Sequence, residues 1–509
     1  MYSGCMNCQQ RNLMFKDSGN IVLAVDIGTS GCRAILFSKD GTILSESQEK
    51  YTFEYNIKRY AQQDPIKIFN AFIFTINTCL SNYELSPEYI IVGSVLHSLV
   101  LLDGSGTPLT PLSIWADTRA IEQCKTIENY YLCNDWYQKT GCLLSPSYPL
   151  FRFLWYKENH PELFKNFAKA VSIKSFIFFK LFGYYIEDYS VASGTGLFNI
   201  HNFDWDDDIL DFIELDRKRL PTPVPVEHKI APLSLTKKKE FGINDKSTWI
   251  IGSSDGPLAH LGTVGHIPEV ASLTIGTSGS VRIISRKPEL SKKSLEWCYV
   301  LDSASYVLGI ATNNGGNVMD WFEEIFNFRI DWQKIDKIIG TTRFKPDLFF
   351  SPFVFQERYL NFQPDNAGSF IGLQAGLNFN DLLRAVMEGI IFNIVFLFNK
   401  LKQRHKINQV VTSGRLTTSS FVCRILSLLI SEPVTSMSKS NASLIGAARI
   451  IFGTNFDVID KNQIKYRSNN SNLSNNLYYD KFLKWTQKYQ NNELGAWAIR
   501  GNLSSHAKV

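Results

Sequence analysis

The sequence predicts an α/β protein made of two similar halves that face each other. Three observations carry this expectation. The apolar run Ile21-Val22-Leu23-Ala24-Val25-Asp26 has strand character and ends in Ile27-Gly28-Thr29-Ser30-Gly31. The same pentapeptide returns at Ile275-Gly276-Thr277-Ser278-Gly279, after Val270-Ala271-Ser272-Leu273-Thr274, about half a chain length further on. That spacing is too long for a solenoid and suits two related domains. Strand-like runs alternate with helix-like stretches along the chain, as in α/β architectures. Finally, 509 residues are enough for two or three domains.

The elements follow in order. Residues 1–20 read as a loose leader. From Ile21 the pattern is strand, glycine-rich turn, strand (Ala34-Ile35-Leu36-Phe37), then a turn at Lys39-Asp40-Gly41. Gln63-Asp64-Pro65 opens a helix through Leu80, with Asp64 as N-cap and proline in the first helical position. A buried strand runs from Tyr89 to Gly93 into Ser94-Val95-Leu96-His97-Ser98, and a helix-rich region extends to about Asn202. A second apolar strand is expected at Trp249 to Gly256, with Asp255 at its end beside Gly256. The second half repeats the strand–loop–strand opening and adds helices around Asp381–Lys400 and Ser419–Ser431. The Asn- and Ser-rich run Asn469 to Asn476 reads as a loop before an amphipathic helix near Tyr478–Tyr489.

Composition narrows the function. Hydrophobic content of 44% and charged content of 20% describe an ordinary globular chain, and a net charge of +5 with no dense basic stripe argues against nucleic acid. Nine scattered cysteines fit reduced thiols in a cytoplasmic protein better than a disulfide framework. Cys5-x-x-Cys8 has no second pair nearby, which speaks against zinc. The N-terminus lacks the apolar core of a signal peptide. The apolar stretch Tyr89 to Leu102 is too short and broken to span a bilayer, so no membrane partner is expected.

The repeated loop points to phosphate. Its glycines let the backbone turn tightly and leave room for an anion, while N–H groups and the Thr and Ser hydroxyls can donate to phosphate oxygens. Asp26 adds a carboxylate able to hold Mg²⁺ directly or through water. The second copy has Thr274 at that place, so it can only donate hydrogen bonds. Each copy is trailed by an arginine, Arg33 and Arg282. Two unrelated turns would use the same residue types; repetition of all five letters favours the phosphate reading.

With these motifs the chain resembles the FGGY carbohydrate kinases, over about residues 20–490. Asp26 to Ser30 with Arg33 resembles the family's first phosphate motif, and Thr274 to Gly279 its second. Tyr60-Ala61-Gln62-Gln63-Asp64-Pro65 matches a recurring segment. Gly368-x-Phe370-x-Gly372-Leu373 followed by Asp381-Leu382-x-x-Ala385-Val386-Met387-Glu388-Gly389 fits the C-terminal signature. Ser147-x-Pro149-x-x-Arg152-Phe153-x-Trp155 resembles the N-terminal one, with Arg152 where the family usually has Lys. Leu96-His97-Ser98, Ile114 to Arg119, Asp188 to Gly196 and Asn313 to Gly316 are most similar to segments of gluconate kinases, and xylulose kinases share the first two more loosely.

The resemblance implies an actin/hexokinase/Hsp70-like (ribonuclease H-like) fold with an interdomain active-site cleft. Residues 21–255 would form the sugar and γ-phosphate side, 256–460 the nucleotide side, and 461–509 a C-terminal helix and tail. It implies ATP and Mg²⁺ as cofactors, a small sugar or sugar acid as substrate, and leaves room for a homodimer. Asp255, in Gly252-x-x-Asp255-Gly256, matches the family's catalytic base; the plainer reading is a carboxylate capping the next helix. His97, Trp115, Asp117 and Arg119 become sugar ligands, with Arg119 suited to pair a substrate carboxylate in fork geometry. Read alone, His97 is a satisfied core histidine and Arg119 a surface residue. Gly28, Thr29, Ser30 and Arg33 would serve the transferring phosphate and Asp26 the metal. Gly276, Thr277, Ser278, Asn313, Gly315, Gly316, Ser413 and Gly414 would serve the nucleotide.

Two positions depart from the family. Thr412-Ser413-Gly414-Arg415 stands where a Gly-Gly pair is usual, so a Cβ at Ser413 is expected to obstruct the nucleotide or force an unfavourable dihedral. Asn441 stands where Glu is common. A non-catalytic sugar or nucleotide sensor on the same fold therefore stays open beside the kinase.

Overall fold

The computed structural model describes residues 21–491 apart from 53, 56–58, 82, 84–85, 244–245, 291–294, 356, 358–366, 438–440, 454–455, 457–463 and 467–472. The leader with Cys5 and Cys8, residues 469–472 of the Asn/Ser run and the 492–509 tail lie outside the described residues.

The first half is built on β1 (Ile21–Ile27), β2 (Gly31–Ser38), β3 (Ile43–Lys50), β4 (Tyr89–Ser94), β5 (Lys229–Ile230) and β6 (Thr248–Ile250), in the order β5-β6-β4-β1-β2-β3. The second is built on β7 (Val270–Ile275), β8 (Gly279–Ser285), β9 (Trp297–Asp302), β10 (Ser305–Thr312), β11 (Gln409–Ser413), β12 (Val434–Ser436) and β13 (Ile464–Tyr466), in the order β9-β10-β8-β7-β11-β12-β13. In each half the strand before the pentapeptide is antiparallel to the strand after it and parallel to its other neighbour. The next strand out is again parallel, and the edge beyond it antiparallel. The duplication announced by five letters thus extends through both sheets.

β1 is apolar at successive positions because both its faces are covered. Ile21, Leu23, Val25 and Ile27 face a cluster with Ile68, Phe69, Phe72 and Ile76 of α1 (Pro65–Ser81). Val22 and Ala24 face the opposite cluster. The expected N-cap of α1 is present, with Asp64 Oδ1 accepting from the Ile66 amide at 2.8 Å. The helix-rich region includes α2 (Ile173–Phe182) and α3 (Tyr189–Ser193).

Two further helices set the relation between the halves. α4 (Asp255–Val264) follows β6, and α7 (Ala442–Phe452) follows β12, so they occupy equivalent places in the duplicated unit. Between them in sequence come α5 (Gly316–Ile325) and α6 (Phe379–Lys402), the latter closed by an Asn378–Asp381 capping box. α7 lies on the first sheet, where Leu444, Ile445 and Ala448 pack with Val22, Ala24 and Ile91. α4 reaches the second sheet through His260, paired with Ser272 Oγ at 2.8 Å, and through Val264 against Val270 and Val411. The two helices touch through glycines: a Cβ on Gly262 would lie 1.7 Å from the Ala442 carbonyl oxygen, and one on Gly446 2.0 Å from that of Leu258.

The structure corrects two local expectations. The strand predicted through Gly256 ends at Ile250, and Asp255 is the first residue of a helix. The Asn/Ser run is helical from Leu473, where α8 (Leu473–Gln490) begins. Among the described residues no helix is long and apolar enough to cross a membrane. Cys32, Cys79, Cys124, Cys142, Cys298 and Cys423 are buried free thiols.

Candidate active site

The C-terminal end of β1 gathers the first group of residues. Asp26 is buried, and its Oδ2 accepts from Arg33 Nη2 at 3.0 Å and from Ser443 Oγ of α7 at 2.7 Å. Its Oδ1 is buried without a hydrogen-bond partner. The following loop is held from outside: Tyr51 donates to the Gly28 carbonyl at 2.7 Å, and Gln63 Nε2 to that of Thr29 at 2.8 Å. Trp115 Nε1 donates to Thr29 Oγ1 at 2.9 Å, which joins a sugar candidate to a phosphate candidate. Ser30 is exposed at the tip.

Asp255 opens α4 beside this group. Its Oδ1 accepts from the Gly256 amide at 2.8 Å. Burial and the nearby Asp26 charge push its carboxyl up to about 6, against the pull of Arg282. Arg282, the trailing arginine of the second repeat, donates to Thr274 Oγ1 at 3.1 Å. The two arginines therefore differ in use: Arg33 serves a carboxylate of its own half, while Arg282 reaches from the second half toward Asp255.

His97 has a left-handed backbone, with φ of 64°. Its Nδ1 sits 2.6 Å from the Gly194 carbonyl, so that nitrogen carries the proton in the neutral ring. Tyr148 and Tyr299 meet the ring edge to face. Its carbonyl accepts from Arg152, which also donates to Ser113 Oγ and the Ser147 carbonyl.

Asp117 and Arg119 do not reach toward a ligand as expected. Arg119 forms a two-pronged pair with Asp117, Nε to Oδ1 at 2.8 Å and Nη2 to Oδ2 at 2.7 Å, and Asp117 also holds the Ala61 amide at 2.9 Å. The guanidinium lies 3.9 Å from the centre of the Tyr60 ring. The fork geometry proposed for a substrate carboxylate is used internally, because the partner stands two residues away.

The second loop forms the other group. The Gly316 amide donates to the Gly276 carbonyl at 2.6 Å and the Asn317 amide to that of Thr277 at 3.0 Å, so the loop rests on the first turn of α5. A Cβ on Gly276 would meet nothing within 4 Å, which leaves its backbone approachable. Asn313 donates its amide to Glu357 at 3.1 Å, and Asn317 Oδ1 accepts from the Gly315 amide at 2.9 Å. Ser413 is not strained. It lies within β11, outside the left-handed region, and its hydroxyl pairs with Thr274 Oγ1 at 3.0 Å. The residue that needs glycine is Gly414, with φ of 102° and room for no Cβ, since one would lie 2.5 Å from the Ile275 carbonyl oxygen. Asn441 stands before α7 without a side-chain cap.

Ser443 and Glu357 are participants that the sequence reading missed. Neither has a local signal: Ser443 becomes meaningful only because α7 crosses to the first sheet. Among the described residues no group of three or more His, Cys, Asp or Glu side chains could hold a metal alone. The unpartnered Asp26 Oδ1 nonetheless fits Mg²⁺, which keeps several waters and takes one or two carboxylates plus phosphate oxygens.

Residues 21–262 match the N-terminal domain of the FGGY family of carbohydrate kinases, and residues 271–452 its C-terminal domain. The chain belongs to this family. It is 30% identical to the gluconokinase of Bacillus subtilis over 440 residues, covering 84% of this chain and 86% of that one. It is 25% identical to a xylulose kinase of Lactococcus lactis, covering 92% and 96%. The crystal structure of gluconate kinase from Lactobacillus acidophilus has a TM-score of 0.83 at 26% identity, covering 94% of this chain and 99% of that one. The ligand-bound xylulose kinase from the same organism has a TM-score of 0.84. The fold is the two-domain carbohydrate-kinase fold expected, and kinases of this family use ATP and typically a divalent metal.

Proposed function

We propose that the protein transfers the γ-phosphoryl group of ATP to the terminal primary hydroxyl of a sugar acid, D-gluconate giving 6-phosphogluconate. The observation that carries this reading is Asp255: a carboxyl pushed up to about 6, at a helix start beside the Asp26 group. Such a group accepts a proton readily at neutral pH, and a placed base contributes about 10²–10⁴-fold. In this reading the sugar hydroxyl gives its proton to Asp255 as its oxygen forms the bond to the γ-phosphorus and ADP leaves.

Thr29, fixed by Trp115, and Ser30 at the loop tip orient the transferring phosphate, while the Gly28 amide closes the turn on the Gly31 carbonyl at 3.0 Å, and the 276–278 loop with Gly315, Gly316 and Gly414 receives the nucleotide. Bound Mg²⁺ would neutralise charge on the phosphates, with Asp26 as the side chain that holds it. His97 and Trp115 orient the sugar. The buried free thiols suit a reducing, cytoplasmic setting. Gluconate is supported by the Bacillus subtilis relative and by the 96–98, 114–119 and 188–196 segments.

One observation favours a second reading. Arg119, expected to take the substrate carboxylate, is engaged by Asp117. A neutral pentulose such as xylulose needs no such cation, and xylulose kinases stand among the relatives. ADP release across gluconate, xylulose, ribulose and glycerol separates the two. The first reading expects the highest kcat/KM on gluconate; a value on xylulose greater by about tenfold, some 1.4 kcal/mol of transition-state binding, would replace it with the second.

A further inference from the structure

Lys174 and Asp188 form an ion pair with no exposed side-chain surface on either partner, Nζ to Oδ2 at 2.7 Å. Such pairs are poor stabilisers, because removing two charges from water offsets most of their attraction. Their remaining bonds show what they hold. Lys174 Nζ also donates to the Ser253 carbonyl at 3.0 Å, two residues before Asp255. Asp188 Oδ1 caps α3 through the Val191 amide at 3.0 Å. One residue into α3, Ser190 Oγ meets Ser254 Oγ at 2.6 Å. Just past the other end, the Gly194 carbonyl holds His97 Nδ1 at 2.6 Å.

One short segment, 188–194, therefore holds Ser254 through Ser190, is tied by Asp188 to the Lys174 that holds the Ser253 carbonyl, and carries the His97 ring on its other end. A base and a substrate ligand that come from different elements need a common reference, since a misplacement of about 1 Å can cost about 10²-fold in rate. Gly252, with φ of 74° and its amide on the Val226 carbonyl at 3.0 Å, and Ser253, whose hydroxyl donates to the Leu301 carbonyl at 3.3 Å, carry the chain from β6 into this grip, where Ser254 makes a single parallel bridge to Ser94.

We infer that Lys174, Asp188 and Ser190 are positioning residues that fix the Asp255 loop relative to His97. The inference rests on Asp255 being the base, so its test carries one arm that does not depend on catalysis. Ser190→Ala removes one hydroxyl from the grip and leaves the ion pair intact. Its amide hydrogen exchange over 253–258 is expected to quicken by about tenfold, the size of losing one hydrogen bond's restraint. Its kcat on the best sugar is expected to fall by about tenfold with the KM for ATP unchanged. The acid limb of its kcat/KM profile should move down by about half a pH unit as Asp255 gains solvent.

Lys174→Met serves as the second variant, expected to loosen the same segment further. Exchange over 253–258 like that of the wild type in folded Ser190→Ala overturns the inference, and so does an unchanged kcat. If the wild type phosphorylates no sugar, the kinase reading fails by itself, and the exchange arm still decides whether segment 188–194 holds the loop.

Discussion

Asp255, the proposed base, would serve chemistry at some expense to stability. Burial and Asp26 raise it to about 6, so the fold favours its protonated form. The sign follows: the folded state binds this proton more tightly than the unfolded chain, and stability falls as pH rises from the usual carboxylate range through about 6. Asp255→Asn cannot ionise. It should match the wild type in melting temperature near pH 4 and exceed it above about pH 6. Activity runs the other way, with an acid limb near 6 in the wild-type kcat/KM profile that the variant lacks. A wild-type profile flat between pH 5 and 8 would contradict this assignment. At the second loop, Gly414→Ala should cost about 1–3 kcal/mol, because it places a Cβ against the Ile275 carbonyl in a left-handed conformation. Ser413→Gly should leave ATP affinity unchanged in a titration, since Ser413 carries no strain.

At the scale of elements, the crossing of α4 and α7 joins the two sheets. Gly446→Ala puts a methyl group 2.0 Å from the Leu258 carbonyl oxygen, backbone that has nowhere to move without separating the helices. A loss of about 1–3 kcal/mol or more is expected in denaturant unfolding; an unchanged midpoint would mean that the helices do not pack this closely. This crossing was not legible in the sequence. β1, β4, β7, β8 and α1 were, because apolar runs, turn glycines and the Asp64-Pro65 cap are local signals. The landing of α7 on the first sheet is a tertiary event, and nothing near Ser443 announces Asp26 as its partner. Asp117 and Arg119 illustrate the converse: the residue types suited a ligand, yet their two-residue spacing let them pair with each other. The unfavourable dihedral expected at Ser413 falls on Gly414 instead, because sequence alone does not say which residue of the Ser-Gly pair takes the left-handed turn.

Over the whole molecule, each half supplies what the other lacks. The first carries Asp26, the Thr29 loop, His97 and Trp115; the second carries a loop with Thr274 in place of the carboxylate and the Gly315, Gly316 and Gly414 turns. Asp255 stands at the junction, under the charge of Asp26 from one half and Arg282 from the other. Closure of the cleft around both substrates would exclude water from the transfer. The most direct test of this account is the turnover of folded Asp255→Asn, read as ADP release with saturating sugar and Mg-ATP. The account predicts a fall of about 10²-fold or more with Mg-ATP binding retained. Turnover within about threefold of the wild type, below the contribution of any placed base, would contradict it.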